Sequence, residues 1–575
     1  MKDIATKPVQ PVDPGLDTID RLLHAAEGKL SLGLSPEGLW LAWADWALHL
    51  ANSPHHRLML ARHWIDHCLC LAHAMSNQAE CTQPPPGDHR FADPSWQNFP
   101  YNLLYRSFLA AADWWAEATT NVRGVERSHE RIVSFTARQL VDMLSPSNLP
   151  WLNPEVVQAT ISSGGKNLQT GMQNFLSDVL HTSLAQPDPN FVVGRDLAAT
   201  KGKVVLRNEL IELIQYSPTT KTVRPEPILI VPAWIMKYYI LDLSPHDSVV
   251  AYLVGQGFTV FCISWRNPNG EMSQLAFDDY RKLGVMASLD AVGAITGAAK
   301  IHGCGYCIGG TLLAIAAAAM ARDNDSRLAS LTLLAAQTDF TEAGELQLFV
   351  TEGQLAFLED VMWVQGALAS SQMAGTFQLM RSNDLVWSRM IRNYFLGRRD
   401  NPNDLAAWNA DGTRMPYKMH AEYLRRLFLD NDLAEGRFPV GGRPVSIEDI
   451  MLPIFMVGTE TDHVAPWRSV HKMHLLNKGE ITFVLTSGGH NAGIISEPGH
   501  PNRHFRILTR AAKGRYVGPD EWLQLAEKAD GSWWGAWTDW IGKRSGAEIA
   551  PPPMGAPDKG YKPLYDAPGH YVHQR

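Results

Sequence analysis

The sequence predicts an α/β protein with a mostly parallel central sheet, an inserted helical cap or lid, and a largely helical N-terminal domain. Three observations carry this. Short apolar runs alternate with helical stretches between about 206 and 512. More than a hundred residues between Leu334 and Ile454 have helical character and no clear strand, too long for a structureless loop. Residues 1 to about 205 read as mostly helical.

Taken in order, Ser35-Pro36 offers an N-cap followed by proline at the first helical position, and Leu39, Trp43, Trp46, Ala47 and Leu50 recur at helical spacing. That stripe either packs on its own protein or presents an aromatic face to an apolar surface. A proline-rich break, Gln83 to Gly87, precedes the next helical segment. Strands follow at Leu210–Tyr216, Ile228–Val231, Phe258–Ile263, Lys300–Cys304, Leu328–Leu334, Ile454–Val457 and Ile481–Leu485. Helices are expected between them at His246–Gly255, Asp279–Ile295, Thr311–Met320 and Trp467–Leu476. The organisation expected is an N-terminal helical extension (1–90), a helical domain (91–205), an α/β domain (206–512) with its cap at about 341–450, and a C-terminal tail (513–575) wrapping the surface.

Composition narrows the class. The chain has 575 residues, 45% hydrophobic and 19% charged, with a formal charge of −8, which fits a globular protein and argues against a strongly basic nucleic-acid binder. Six cysteines are too few for a disulfide scaffold and imply a reducing compartment. Nineteen tryptophans suggest wide aromatic surfaces. Met1 to Asp17 is polar, and Leu39 to Leu50 is short and broken by Asp45 and His49, so neither a signal core nor a membrane span is expected. The expected location is the cytoplasm.

The most informative stretch is Gly305-Tyr306-Cys307-Ile308-Gly309-Gly310, after a short strand and before an Ala/Leu-rich helix. It has the form of a nucleophile elbow with cysteine in place of serine. Small residues two before and two after the nucleophile relieve a sharp turn, and the helix N-terminus favours a thiolate or an oxyanion. Two rivals exist: Cys304-x-x-Cys307 as a redox or metal motif, and a plain buried cysteine in a glycine-rich turn. No second C-x-x-C completes a zinc site, and no metal is expected.

Downstream partners favour the elbow. Asp462 follows the strand Ile454–Val457, and His490 lies in Gly488-Gly489-His490-Asn491 after the next strand. The order nucleophile, acid, histidine is that of an α/β-hydrolase fold. Alone, Asp462 reads equally as a helix cap and His490 as a surface histidine; His463 competes with His490 but sits beside the acid. The Ile308 N–H is one expected oxyanion donor, and the Ile235 N–H, after the strand Ile228–Val231, is the other; the alternative is that Trp234 in this loop merely packs the lid.

These residues resemble the polyhydroxyalkanoate synthases, specifically the single-subunit class I type that makes poly(3-hydroxybutyrate). The resemblance runs from about Phe91 to the C-terminus. It rests on Leu144 to Asn148 with Asn153-Pro154-Glu155, on Trp234 to Leu243, on Ser264 to Pro268, and on the modified lipase box Gly305 to Gly310. Arg381 to Trp387 and Trp408-Asn409-Ala410-Asp411 are similar to the cap region, and residues 35 to 60 to an N-terminal extension found in part of the family. One departure is Gly412 to Tyr417, where the family has a Thr-Asn-Leu-Pro-Gly-Pro-like run; it bears on substrate access or side-chain preference.

The resemblance implies Cys307 as acyl-carrying nucleophile, Asp462 as acid and His490 as general base. It implies (R)-3-hydroxyacyl-CoA as substrate, with 3-hydroxybutyryl-CoA the favoured case, a growing polyester chain, a granule surface and a homodimer. No cofactor is expected. Gly164-Gly165-Lys166 lacks P-loop spacing, so a few Lys or Arg at a channel mouth are expected to hold CoA. The alternatives are an α/β-hydrolase thioesterase, esterase or depolymerase, and a non-catalytic granule protein.

Overall fold

A computed structural model describes residues 14–31, 33–76, 83–85, 87–182, 189–380, 382–399 and 401–575. The polar start of the chain, Cys81, Pro86 and Arg381 lie outside them. The chain forms two compact units: Met1–Gly33 with Asp188–Gln372 and Asn403–Arg575, and Leu34–Pro187 with Met373–Pro402.

The first unit is built on an 11-stranded sheet. Its strands are β1 (Gly202–Arg207), β2 (Ile211–Tyr216), β3 (Ile228–Val231), β4 (Val260–Trp265), β5 (Ile301–Tyr306), β6 (Leu328–Leu334), β7 (Ile454–Thr459), β8 (Ile481–Thr486), β9 (His504–Arg510), β10 (Glu527–Asp530) and β11 (Tyr565–Asp566). The spatial order is β10-β9-β8-β7-β6-β5-β3-β4-β2-β1-β11. The six strands from β8 to β4 are mutually parallel. Both flanks are antiparallel. The parallel strands and β2 are the ones legible in the sequence, and what they share is burial: every residue of β2, β3 and β5 is buried. The order reverses between β3 and β5, so successive crossovers leave in opposite directions and open a crevice at the strands' C-terminal ends, where ligands bind in such sheets.

The flanking strands β1, β9, β10 and β11 were not legible. Strand β10 reads Glu-Lys-Ala-Asp, and charge on an edge strand protects against further pairing while erasing the hydrophobic signal. The segment from 513 onward therefore does more than wrap the surface. It supplies the outermost strand at each edge, β10 and β11, and buries Trp533, Trp534 and Trp537. The Trp537 indole donates to Thr332 of β6 at 3.0 Å. At the other edge the buried Glu212 carboxylate accepts the Tyr565 hydroxyl and the N–H groups of His570 (2.8 Å) and Tyr571 (2.9 Å).

The second unit is helical, with Pro36–Ala51, Pro54–Ser76, Tyr101–Thr119, Arg127–Met143, Pro154–Ser163 and Lys166–Thr182 as its main helices. The Ser35 hydroxyl caps the first by accepting the Gly38 N–H at 3.2 Å. The aromatic stripe packs on its own unit: Trp43 donates to Thr136 at 3.1 Å and Trp46 to the Ala118 carbonyl at 2.8 Å. Trp40 on the same helix is exposed. Tryptophan is thus divided between the core and the surface, with Trp96, Trp234, Trp522 and Trp533 buried and Trp40, Trp64 and Trp151 exposed. Among the described residues no helix is long and apolar enough to cross a membrane. Among the described residues, Cys68, Cys262, Cys304 and Cys307 are free thiols.

Candidate active site

Strand β5 runs into the helix Ile308–Arg322 through Cys307, which adopts φ 54° and ψ −128°. This is a positive-φ conformation that side-chain-bearing residues avoid, at a strain of about 1–3 kcal/mol. The turn is held by the Cys307 N–H, which donates to Leu334 O at 2.9 Å, and by the Cys307 carbonyl, which accepts from Gly310 (2.9 Å) and Thr311 (3.1 Å). Its glycines are steric necessities. A Cβ on Gly305 would lie 2.4 Å from Gly310 Cα, and one on Gly309 2.3 Å from Val231 O. The end of β3 thus passes directly against the elbow. Ile308 is the first helical residue, so its N–H has no intrahelical partner and is available to a developing oxyanion.

Strands β7 and β8 pair in parallel with Thr459 opposite Thr486, so the loops carrying Asp462 and His490 leave the sheet side by side. Asp462 Oδ1 accepts the N–H groups of Val464 and Ala465, both at 2.8 Å. Its Oδ2 accepts the Thr459 hydroxyl at 3.0 Å and meets His490 Nδ1 at 2.8 Å. Burial alone would raise this carboxyl, but His490 and the two backbone donors outweigh it and hold Asp462 below the usual carboxylate range. His490 is also coupled electrostatically to the Cys307 sulfur. Burial pushes its imidazole down, while Asp462 and then the Cys307 sulfur push harder the other way, leaving it well above the ordinary histidine value. His463 is exposed and makes no such bridge. Cys304 lies wholly buried within β5, and burial pushes its thiol far up, the opposite of a redox-active cysteine.

Ile235 lies in the loop after β3. The departing segment Gly412–Arg414 grips this loop: Thr413 N–H donates to Ile235 O at 3.2 Å, and the Thr413 hydroxyl bonds Trp234 O. Trp408 Nε1 donates to Lys237 O at 2.8 Å, and Tyr239 donates to Asp411 at 2.9 Å. The Trp408-to-Asp411 motif therefore fixes the backbone that carries Ile235. Trp234 itself packs in the core, with ring centroids 4.7 Å from Tyr280 and 5.5 Å from Trp265. Among the described residues, no cluster of three metal-ligating side chains occurs in this unit.

Comparison with known proteins gives the same reading along the chain. A family model described as the poly-beta-hydroxybutyrate polymerase (PhaC) N-terminus matches residues 87–253, and one described as poly-beta-hydroxybutyrate polymerase N terminal matches 14–56. A third, alpha/beta hydrolase fold, matches 226–496. The poly(3-hydroxyalkanoate) polymerase of Methylorubrum extorquens is 38% identical over 500 residues, 86% of this chain and 82% of that protein. The chain belongs to the poly(3-hydroxyalkanoate) polymerase family. The polymerase subunit PhaC of Cupriavidus necator is 37% identical over 503 residues, 86% of this chain and 84% of its own. A solved hydrolase from Pseudomonas aeruginosa PA01 aligns with 51% of the chain at 14% identity and a TM-score of 0.31, so the α/β-hydrolase assignment rests on the family match and the strand order instead. As a member of the polymerase family the protein is an enzyme, an acyltransferase.

Three residues at the elbow escaped the sequence reading. The Tyr306 hydroxyl donates to Asn491 at 2.5 Å, tying the elbow to the histidine loop, and its ring lies 5.5 Å from the His490 ring. Tyr423, from the helix Tyr417–Tyr423, has its phenol raised first by burial and then by the charge of the Cys307 sulfur, so the two groups are electrostatically coupled. Tyr306 is one position from Cys307 in sequence and could have been flagged there. Asn491 and Tyr423 carry no local signal.

Proposed function

We propose that the protein polymerises (R)-3-hydroxyacyl-CoA, with 3-hydroxybutyryl-CoA the favoured substrate, through an acyl-enzyme on Cys307. The observation that carries this is the His490–Asp462 pair, coupled electrostatically to the sulfur of Cys307 at a strained strand-to-helix turn. His490 takes the thiol proton, and the thiolate adds to the thioester carbonyl. The negative charge that forms on the carbonyl oxygen is met by the N–H groups of Ile308 and Ile235. The C–S bond to CoA then breaks, and CoA leaves with the proton from the imidazolium. The product on Cys307 is again a thioester, so the acyl group stays activated. A 3-hydroxyl from a chain end or second acyl unit gives its proton to His490 and attacks; the ester bond forms as the Cys307 C–S bond breaks, and the sulfur regains the proton.

Asp462 fixes the imidazole with its proton on Nδ1, leaving Nε2 to face the thiol. Water must be kept from the acyl-enzyme, a task suited to the aromatic residues around Tyr423, whose ring lies 5.3 Å from Phe428. The protein acts without a cofactor, in the cytoplasm, as a homodimer on the surface of its polymer granule. The test is CoA release from 3-hydroxybutyryl-CoA with analysis of the product. Polyester supports the reading, whereas free 3-hydroxybutyrate alone would make the enzyme a thioesterase.

A further inference from the structure

The helical unit holds a separate cluster of ligating side chains. His63 and His67 stand one turn apart on the helix Pro54–Ser76, and Asp113 faces them from Tyr101–Thr119. The two imidazoles stack with centroids 4.4 Å apart and an interplanar angle of 25°. Both bring Nε2 close to one oxygen: His63 lies 3.0 Å and His67 3.1 Å from Asp113 Oδ2, and His67 hydrogen-bonds it. The three ligand atoms all fall within 4.8 Å of one another.

That spacing is close to what an ion requires. Tetrahedral bonds of about 2.0–2.1 Å separate neighbouring ligand atoms by roughly 3.3 Å. The two N···O spans, 3.0 and 3.1 Å, are already near this value, and the two Nε2 atoms lie within 4.8 Å of each other. The helix pair is registered beside the cluster, since Trp114 Nε1 donates to Leu60 O at 3.0 Å and the Trp64 and Trp114 rings meet edge-on at 6.3 Å. His63 and His67 are half-buried and Asp113 is exposed, so solvent reaches the remaining coordination position.

Two imidazoles with one carboxylate suit zinc and its transition-metal neighbours, not magnesium or calcium, which favour oxygen ligands. We propose that His63, His67 and Asp113 form a divalent transition-metal site, of the Zn²⁺ class, that cross-links the helices Pro54–Ser76 and Tyr101–Thr119. This goes beyond polymerisation and does not depend on it. The competing account is that two neutral imidazoles simply share Asp113 as a hydrogen-bond acceptor.

The experiment is calorimetric titration of Zn²⁺ into untagged, chelator-stripped full-length protein, with thermal melting alongside. The expected result is one saturable equivalent and a raised melting midpoint. His63→Ala and Asp113→Asn are expected to weaken binding by about tenfold or more, whereas Cys68→Ser, which removes an exposed thiol from the same helix, leaves it unchanged. Asp113→Asn keeps an oxygen for the imidazole N–H groups and loses only the anionic ligand, so it tests the site even if His63→Ala fails to fold. Absence of saturable Zn²⁺ binding in the wild-type protein, or wild-type affinity in Asp113→Asn, would overturn the proposal.

Discussion

Replacing Asp462 by asparagine tests the geometry of the site most directly. In the native site Oδ1 receives two backbone N–H groups at 2.8 Å, while Oδ2 faces His490 Nδ1 at 2.8 Å and the Thr459 hydroxyl at 3.0 Å. An asparagine amide has only one acceptor oxygen. Turning the NH₂ toward Val464 and Ala465 would set donor against donor twice, at about 1–3 kcal/mol for each buried group left unpaired. The favoured rotamer keeps the oxygen there and points NH₂ at His490 Nδ1. That nitrogen must then accept, which moves the imidazole proton to Nε2, the nitrogen needed to take the thiol proton. Inverting the tautomer in this way is expected to lower kcat by about 10³-fold or more, ~4 kcal/mol of barrier.

The pH profile should move with it. Asp462 and Cys307 together hold His490 well above the ordinary histidine value against the opposing effect of burial. Without the carboxylate, burial is opposed by less and the imidazole loses its proton at lower pH. The acid limb of the rate profile therefore shifts to lower pH while the plateau falls. The assay is loss of thioester absorbance from 3-hydroxybutyryl-CoA across pH, with melting curves to confirm folding. A fall in kcat of less than about tenfold with an unmoved acid limb would refute the assigned roles of Asp462 and His490.

Further substitutions probe the surrounding claims. Cys307→Ser should reduce CoA release by orders of magnitude, because an alcohol is the weaker nucleophile and the worse leaving group; near-normal release would remove Cys307 from the chemistry. Cys304→Ala should retain activity per folded molecule, and a loss matching that of Cys307→Ser would revive a dithiol mechanism. Gly309→Ala would set a Cβ 2.3 Å from Val231 O and 2.4 Å from Pro232 O, and the backbone shift it forces should cost about 1–3 kcal/mol, read by denaturant unfolding. Wild-type stability there would mean that β3 does not press on the elbow. Glu212→Ala leaves the Tyr565 hydroxyl and two backbone N–H groups without their acceptor, so limited proteolysis should cut faster between 565 and 575; an unchanged digestion pattern would show that the carboxylate does not hold that segment.

Legibility followed burial. Strands β3, β6, β7 and β8 announce themselves because parallel strands covered on both faces are mostly apolar, and β5, Ile-His-Gly-Cys-Gly-Tyr, through the glycine pattern of the turn it leads into. Strand β10, with three charged residues in four, lies at an edge where only its backbone pairs, and backbone pairing leaves no mark in side-chain chemistry. The segment after 513 was underestimated for a related reason. Its Trp533, Trp534 and Trp537 look the same in sequence whether they face solvent or the sheet.

The elbow was legible in sequence from Gly305, Gly309 and Gly310 around Cys307, although part of what excludes a Cβ there, Val231 O, Pro232 O and the Ala336 methyl, comes from other parts of the chain. The order of nucleophile, acid and histidine was likewise legible, because each follows a recognisable strand. Tertiary structure alone decided that His490 and not His463 meets Asp462, that Tyr423 is coupled to the Cys307 sulfur, and that His63, His67 and Asp113 converge. Side chains brought together from separate elements share no sequence spacing. Their meeting is fixed by strand register and helix rotation, which the whole core sets.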